Sequence, residues 1–480
     1  MVHELITIQV GQCGNQIGWK FWETALKEHA SYNKGGVFDE SLSTFFRNVD
    51  TRYTDPQEIP VGDGRGAIRG LKARAILVDM EEGVTNKIFQ DKTMRDLFDS
   101  QQLLTDRSGS GNNWAHGHEG YGPQYREELI EKIRRPVEFC DSLQSFLMLF
   151  SLGGGTGSGV GTYILELLAD HFPEAYRFAS VVVPSDNDDV ITSPYNSVLA
   201  LNKLSQFADC VLPIDNQSLI DISNRIGTPT SDGKLPFDTM NGIAANVLLQ
   251  LTSSMRFGGS LNIDLNEITM NLVPFPKLHY LLSSLTPLYS LGNNNIQPRT
   301  CDDSPTARSH IPRLDQMFTD AFAKEYQIIR SGEFTAIPPN SHTRIDPRRD
   351  TYLACALMVR GGGIEMSDIR RNIERMRPSL SFVNWNEEGW KVGHCLAPPL
   401  GQKNSLLCLS NNCCIKNVFK EMHGRFMKLY SRKAHIHHYT DYMDMSMFEE
   451  GLENVVDLMR EYQSFDKYNP SQKPRRIPVG

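Results

Sequence analysis

The sequence lacks the features of a membrane protein, a secreted protein or a general nucleic-acid binder. Its densest apolar run covers only residues 146–150, whereas a membrane span needs about 20 residues. The first residues carry neither a basic segment nor a long apolar stretch, so no secretory signal is indicated. The 480 residues include 49 basic and 57 acidic side chains, and this net charge of −8 disfavours general binding to phosphate backbones.

The sequence also lacks the cysteine spacing of a disulfide framework or a zinc ribbon. It has nine cysteines, an odd number, and no Cys-x-x-Cys motif. No fixed-period repeat is present. The apolar content of 40% and the charged content of 22% are typical of a globular protein with a large core. We therefore expect a reduced, soluble, cytosolic protein of about three domains.

A pattern of short apolar strands, loops and amphipathic helices recurs in the first half of the chain. Strand-like runs at 5–10, 75–78, 146–150 and 179–183 each end at a glycine, an acid or a proline. The segment 15–30 has the apolar stripe of a helix. This pattern predicts an α/β fold with a mostly parallel sheet covered on both faces. Ligands of such sheets bind at the carboxyl ends of the strands.

The pattern changes near residue 257, where glycines and prolines follow a long helical stretch. The segments 291–313 and 332–350 are rich in polar and turn-forming residues and predict long surface loops. The predicted division is a first domain at 1–237, a long core helix at 238–256 with Asp238 as its N-cap, a second α+β domain at 257–396, a C-terminal helical pair at 397–465 and a disordered basic tail at 466–480.

The densest signal is the run Ser-Leu-Gly-Gly-Gly-Thr-Gly-Ser-Gly at 151–159, between a buried strand and a helix. Residues without side chains let backbone N–H groups converge on an anion, and a helix N-terminus adds partial positive charge. Thr156 and Ser158 can add hydroxyl donors. The run therefore predicts a phosphate-binding loop. It is neither a P-loop, which requires a lysine, nor a dinucleotide loop, whose glycine spacing it does not match.

Several further motifs occur in order along nearly the whole chain. They are Gly-Gln-Cys-Gly-Asn-Gln at 11–16, Gly-Ser-Gly-Asn-Asn-Trp-Ala at 109–115, Pro-Tyr-Asn at 194–196, Ile-Asp-Asn at 214–216, Asn-Leu-Val-Pro-Phe-Pro at 271–276 and Arg-Lys-Ala-His at 432–435. With these motifs and the glycine run, the chain resembles the tubulin family. Residues 45–49, 208–213 and 313–318 are most similar to its epsilon branch.

The resemblance implies a tubulin-like fold: a Rossmann-like GTP-binding domain, a core helix, a second α+β domain and a C-terminal helical hairpin. It also implies GTP or GDP with Mg²⁺ as ligands, the Mg²⁺ held mostly through water. By resemblance, the site residues are Gln12 and Cys13 at the α-phosphate and sugar, Asp79 and Glu81 at Mg²⁺, Gly111 and Asn112 beside the γ-phosphate, Ser151, Gly155, Thr156 and Gly157 around the phosphates, Phe237 stacked on the base and Asn241 at the guanine edge.

Two positions depart from the family pattern in ways that bear on the nucleotide. Phe207 aligns with an asparagine that bonds guanine, and Ser193 replaces an acidic ribose contact. We expect the nearby Asp189 to substitute for that acid. Losing a charge-assisted bond to a sugar hydroxyl costs about 1.5–3 kcal/mol, so looser nucleotide selectivity is expected.

Asp264 and Glu267 are two carboxylates three residues apart at the start of a predicted helix. They lie on one face and can orient and activate a water molecule. A helix cap followed by an acid in the first turn explains the pair equally well. The motif resembles the loop that alpha-type tubulins and bacterial division-ring proteins insert into the next subunit's nucleotide site. That resemblance implies that Glu267 acts on a neighbour's GTP, with Asp264 assisting.

The resemblance implies a specialised GTP-binding cytoskeletal protein of the centriole or basal body, in the cytoplasm. Its expected partners are other tubulins and centriolar or basal-body proteins, with no nucleic acid and no membrane. Two alternatives remain: a self-polymerising GTPase that forms dynamic filaments, and a non-hydrolysing GTP-dependent scaffold. The long segment 291–313, at the family's lateral contact, and the basic tail disfavour an ordinary microtubule lattice.

Overall fold

The computed structural model describes most of the chain. The described residues are 3–33, 38, 40–50, 52, 57–61, 68–185, 188–226, 237–288, 314–330 and 347–466. Three predictions fall outside these ranges: the loop at 291–313, nearly all of the loop at 332–350, and the basic tail beyond Asp466.

Strands alternate with helices in the first half of the chain and cluster in the second half. In chain order the strands are β1 (Glu4–Val10), β2 (Phe46–Asp50), β3 (Gln57–Ile59), β4 (Leu71–Ala73), β5 (Ala75–Asp79), β6 (Leu103–Thr105), β7 (Leu143–Ser151), β8 (Tyr176–Val183), β9 (Cys210–Asp215), β10 (Gly259–Leu261), β11 (Leu282–Thr286), β12 (Thr351–Arg360), β13 (Ser381–Phe382), β14 (Trp390–Cys395) and β15 (Ser405–Asn412).

The longer helices follow the strands and cover the sheets. They are α1 (Gly11–Tyr32), α2 (Glu82–Gln90), α3 (Arg126–Glu138), α4 (Gly161–His171), α5 (Ser193–Phe207), α6 (Asn216–Ile226), α7 (Phe237–Leu251), α8 (Leu265–Leu272), α9 (Leu314–Ala321), α10 (Met366–Met376), α11 (Lys416–Tyr430) and α12 (Ser446–Asp466). Shorter helical pieces are Glu40–Thr44, Ser100–Gln102, His116–Tyr121, Gly122–Gln124, Thr156–Val160, Ser253–Arg256, Lys324–Tyr326, Pro347–Arg349, Arg377–Ser379, Asn384–Asn386, Cys413–Ile415 and His437–Thr440. None of the helices in the described ranges is both long and apolar enough to span a membrane.

The first sheet confirms the predicted α/β fold. Its described strands run in the order β6-β5-β1-β7-β8-β9, and every neighbouring pair is parallel. Ile8 of β1 is in register with Ile76 on one side and Met148 on the other. Ile6 and Ile8 belong to the core on one face of the sheet and Leu5 to the core on the other. Helices on both faces explain why every residue of β1 is buried, the polar Glu4, Thr7 and Gln9 included.

The predicted core helix is interrupted near its end. α7 stops at Leu251, and a separate short helix covers Ser253–Arg256. The Thr252 hydroxyl donates to the carbonyl of Leu248 at 2.8 Å, and hydroxyl side chains of this kind compete with the backbone for helix carbonyls. The predicted N-cap is also wrong, because the helix already includes Phe237 and Asp238 therefore lies in its first turn.

The second sheet and the last helices require two corrections to the predicted division. The sheet has the order β10-β14-β12-β15-β11, with β13 beside β12. β15 is the antiparallel partner of β12, so residues 405–412 belong to this sheet and not to a helical unit beginning at 397. α11 and α12 then pack on α5. Asp466, predicted as the first residue of the tail, ends α12 and pairs with Lys416.

Candidate functional site

The carboxyl ends of the parallel strands bring the predicted nucleotide residues to one edge of the first sheet. β1 leads into Gln12 and Cys13, β5 ends at Asp79, and β7 ends at Ser151. Because all these strands are parallel, the loops that follow them lie at the same edge. Ligands of parallel sheets bind at such an edge, so the position of these residues is compatible with the predicted site.

The first loop is shorter than predicted, because α1 begins at Gly11 and not at Asn15. Gly11 takes a positive φ of 73°, which allows the chain to turn from β1 directly into the helix. Gln12 and Cys13 therefore lie in the first helical turn, where backbone N–H groups are free to meet an anion. Gln12 is exposed, and burial raises the pKa of the Cys13 thiol to about 12, so this thiol is neutral at physiological pH.

The glycine loop packs tightly against the loop at 109–113. A Cβ on Gly155 would overlap the backbone nitrogen of Asn113 and the hydroxyl of Ser110. The Thr156 hydroxyl lies 3.0 Å from that of Ser110. The Ser158 hydroxyl was predicted to be a phosphate donor, but it is buried and donates to the carbonyl of Gly154 inside the loop. Gly155 is thus needed for the approach of the two loops.

The loop that contains Gly111 and Asn112 is held in an unusual backbone conformation. Gly109, Gly111 and Asn112 have positive φ values of 63°, 58° and 53°. Gly111 and Asn112 are exposed. The carbonyl of Asn112 accepts hydrogen bonds from the Thr192 hydroxyl at 3.1 Å and from Nδ2 of Asn196 at 2.9 Å. These contacts fix the loop while leaving its outer surface open to a ligand.

The carboxylates of Asp79 and Glu81 fit a Mg²⁺ site. Asp79 is nearly buried, and burial, with the neighbouring Glu81 adding repulsion, raises its pKa to about 7. A cation would relieve both effects, and oxygen ligands are those that Mg²⁺ prefers. Within the described ranges there is no group of three or more His, Cys, Asp or Glu arranged for a metal. Two carboxylates completed by phosphate and water suit Mg²⁺ better than a site made of protein ligands alone.

The predicted base contacts lie at the start of α7. Phe237 is 51% exposed, and Asn241 follows one turn later on the same helix face. Asn216 escaped the sequence analysis, although it follows β9 directly and so lies half-buried at the ligand edge. The strand-to-helix junction at 215–216 was the signal that could have identified it. The assignment of Phe207 to a base position is wrong, because Phe207 ends α5 and precedes β9, at the opposite edge of the sheet.

The sugar side of the site carries a carboxylate close to Ser193. The Ser193 hydroxyl lies 3.2 Å from Oδ2 of Asp188, and both groups would contact a Cβ placed on Gly153. Asp189, which the sequence analysis selected, is the next residue, and both aspartates are exposed. Asp188 makes the contact with Ser193 and lies near Gly153, and the role of Asp189 at the sugar stays a prediction.

Asp264 and Glu267 lie at the other edge of the first sheet. Asp264 caps α8, since its Oδ1 accepts the backbone N–H of Glu267 at 2.8 Å, so the helix-cap explanation is correct for this residue. Its Oδ2 accepts from Nε2 of Gln144, at the start of β7, at 2.6 Å. The Glu267 side chain is 44% exposed, with Oε2 3.2 Å from Nζ of Lys391. Capping therefore engages Asp264, whereas the Glu267 side chain stays partly exposed, with its Oε2 shielded from solvent beside Lys391.

The two sites are too far apart to act on one nucleotide. Gln144 contacts Asp264, and Ser151, seven residues further along β7, begins the glycine loop. At about 3.3 Å per residue, the two ends of this segment are roughly 23 Å apart. Glu267 therefore cannot reach a nucleotide held by its own glycine loop.

The parallel sheet covered by helices is a Rossmann-like fold, with glycine-containing loops at its carboxyl edge, and comparisons with known proteins give the family. The Tubulin/FtsZ family GTPase domain matches residues 4–224, and the tubulin C-terminal domain matches residues 276–424. The chain therefore belongs to the tubulin family and is a tubulin-type GTP-binding protein.

Its individual relatives agree with the resemblance seen in the motifs. The chain is 53% identical to a tubulin epsilon chain of Mus musculus, with 96% of each chain covered. It is 52% identical to a tubulin epsilon chain of Homo sapiens, with 99% of each covered. Identity to a tubulin beta chain of Coprinopsis cinerea is 31%, over 97% of this chain and 96% of that one. The predicted similarity to the epsilon branch is thus confirmed.

Proposed function

We propose that the protein is an epsilon-type tubulin subunit that binds GTP and completes the GTPase site of a longitudinal neighbour with Glu267. The observation that carries this proposal is the position of Glu267 and the glycine loop at opposite ends of β7. A chain with a nucleotide at one end and a partly exposed carboxylate at the other suits head-to-tail contact, in which each carboxylate meets the next subunit's nucleotide.

The phosphates of GTP would be held by backbone N–H groups at the first turn of α1 and in the glycine loop. Gly155 and Gly157 allow close approach of the backbone, and Thr156 adds a hydroxyl. The exposed loop with Gly111 and Asn112 would lie beside the γ-phosphate. This arrangement binds the nucleotide by dipoles and hydrogen bonds and needs no lysine.

The base and sugar would occupy the edge of the site near α7. Phe237 offers an exposed ring for stacking, Asn241 and Asn216 offer carboxamides for the guanine edge, and Asp188 or Asp189 offers a carboxylate for a sugar hydroxyl. With two carboxamides available, the guanine selectivity of this chain need not be weaker than that of its relatives.

Asp79 and Glu81 would hold Mg²⁺, largely through water. When bound, the ion neutralises charge on the phosphate oxygens. The protein's own contribution is to keep two carboxylates at the carboxyl end of β5, one of them nearly buried.

At the contact with a neighbour, Glu267 would orient and deprotonate the attacking water. Asp264 assists by capping α8, which fixes the backbone that carries Glu267. Lys391 has its Nζ 3.2 Å from the Glu267 carboxylate and restrains that side chain. Because the pair is partly exposed, the ion pair contributes little to the stability of the fold.

The similarity to tubulin epsilon chains supports a role in assembling or stabilising centriole or basal-body microtubules. The partners in this proposal are other tubulins, joined end to end, and proteins of the centriole and basal body, in the cytoplasm. No nucleic acid and no membrane is involved.

Nucleotide extraction and sedimentation of the purified chain test this function. Extraction should release guanine nucleotide, and GTP-dependent pelleting should require other tubulins. Pelleting of the chain alone would favour the self-polymerising GTPase, and assembly without phosphate release would favour the non-hydrolysing scaffold. A chain that retains no guanine nucleotide would contradict all three functions.

A further inference from the structure

The side chain of Asn196 joins two loops to the C-terminal part of the chain. They are the glycine loop at 151–159 and the loop at 109–113, together called the phosphate loops here. Asn196 is completely buried and makes four hydrogen bonds. Its Nδ2 donates to the carbonyls of Asn112 at 2.9 Å and Gly153 at 2.8 Å. Its Oδ1 accepts from the backbone N–H of Trp114 at 2.9 Å and from the Tyr439 hydroxyl at 2.6 Å.

A carboxamide is the side chain that matches these four partners. Its NH₂ group has two hydrogens for the two carbonyls, and its oxygen has two lone pairs for the two donors. An aspartate at position 196 would place a carboxylate oxygen against two carbonyl oxygens, and an apolar residue would leave buried groups unpaired. The orientation of Asn196 therefore determines the spacing between Asn112 and Gly153.

Tyr439 contributes the bond that comes from outside the nucleotide-binding domain. It lies in the short helix His437–Thr440, and burial raises the pKa of its hydroxyl well above the usual value, so the hydroxyl remains a donor. The neighbouring carbonyl of His438 accepts from Nδ2 of Asn113 at 2.7 Å. The imidazole of His438 is exposed. One side of this segment thus contacts the phosphate loops, and the other faces solvent.

We propose that Asn196 is a positioning residue for the terminal phosphate and that Tyr439 sets its orientation. The segment 434–442, called here the Tyr439 segment, then increases the preference of the site for GTP over GDP. This inference rests on the proposed GTP-binding function. Binding at the two places is thermodynamically linked. If GTP increases the affinity of a partner for the exposed side of the Tyr439 segment by some factor, that partner increases the affinity for GTP by the same factor.

Tyr195 provides a matched control. Its side chain is buried, and its hydroxyl donates to the carbonyl of Ala434 in the same segment at 2.8 Å. Burial raises its pKa to about 12, so it is also a protonated donor. Its hydroxyl bonds the segment without contacting Asn196. Tyr195→Phe thus removes a similar buried bond but leaves the connection to the phosphate loops intact.

The test measures GTP and GDP affinities of the full-length chain by competition against labelled GDP. Tyr439→Phe should lower the ratio of GTP to GDP affinity by about threefold to tenfold, because one buried hydrogen bond is lost. Tyr195→Phe should change the ratio less than about twofold, because the lost hydroxyl bonds Ala434 and the ring that packs against Tyr439 is kept. An unchanged ratio in Tyr439→Phe, or an equal decrease in both variants, would overturn the inference.

Hydrogen–deuterium exchange of the wild-type chain gives a second test that does not depend on a variant folding. GTP should slow exchange in residues 434–442 more than GDP does, and equal exchange in the two states would overturn the inference. A wild-type chain that binds no guanine nucleotide would contradict the proposed function as well. Normal wild-type binding with an unchanged ratio in Tyr439→Phe would contradict the inference alone.

Discussion

The variant Glu28→Gln should lose about 3–5 kcal/mol of unfolding free energy, because it leaves two buried arginines without a counter-charge. Glu28, on α1, has Oε1 3.0 Å from Nη1 of Arg360 at the end of β12. Its Oε2 lies 2.8 Å from Nη2 of Arg256, in the short helix Ser253–Arg256 that follows α7. All three side chains are almost fully buried. The adjacent His29 stays neutral, since burial and the two arginines lower its pKa to about 3.

The pH dependence of this effect follows from the pKa of Glu28. Burial favours the neutral acid, but attraction to Arg360 and Arg256 outweighs it, so the pKa of Glu28 lies below its usual 4.5. A lowered pKa in the folded state means that the charged group stabilises the fold above that pH. The difference between wild type and variant should be complete at pH 7 and should decrease as the pH falls below about 4.5.

Urea unfolding at pH 7 and at lower pH, followed by tryptophan fluorescence, measures the effect. Glu23→Gln on the same helix is the control, since Glu23 makes a partly exposed pair with Lys27 that is worth at most about 1 kcal/mol. If Glu28→Gln were as stable as Glu23→Gln, the buried arginines would not depend on Glu28, and the reasoning would be refuted.

Two further variants test the ligand site. Gly155→Ala should weaken guanine-nucleotide retention, because the added methyl group pushes the loop at Asn113 away. Gly424→Ala, at a helix position with open space around it, is the control and should retain the nucleotide normally. Extraction and chromatography measure retention in both variants, and equal retention would contradict the packing argument. Asp79→Asn should weaken GTP retention in Mg²⁺ buffer but not in EDTA; a loss of the same size in both buffers would assign Asp79 a structural role instead.

The features that sequence analysis predicted correctly depend on local pattern. The buried run at 146–150 and the glycines after it predict a strand, a loop and a helix, because each element needs its own periodicity or backbone freedom. The break at Thr252 was missed because the residues around it keep a helical pattern, and its hydroxyl bond to the carbonyl of Leu248 is a detail of the folded chain. Local pattern therefore defines elements better than it defines their ends.

The features that could not be predicted depend on contacts between distant parts of the chain. Tyr439 and Asn196 are 243 residues apart in sequence, and nothing in either segment indicates that they meet. Phe207 was misassigned because alignment through a nearby motif ignored the edge of the sheet at which it lies. Asn216 was missed because its position at the junction of β9 and α6 was not related to the ligand edge of the sheet.

Phosphate release from a neighbour's nucleotide tests the central claim most directly. Chains carrying GDP, either wild type, Glu267→Ala or Glu374→Ala, are combined with a candidate partner tubulin that carries γ-labelled GTP. Glu374, which pairs with Arg370 on an exposed helix, controls for loss of a surface ion pair. Glu267→Ala should slow release about 10²–10⁴-fold while leaving its own nucleotide affinity unchanged, and Glu374→Ala should match wild type. Unchanged release with Glu267→Ala would contradict the account, and so would equally fast hydrolysis by isolated wild-type chains that are loaded with γ-labelled GTP in a separate reaction.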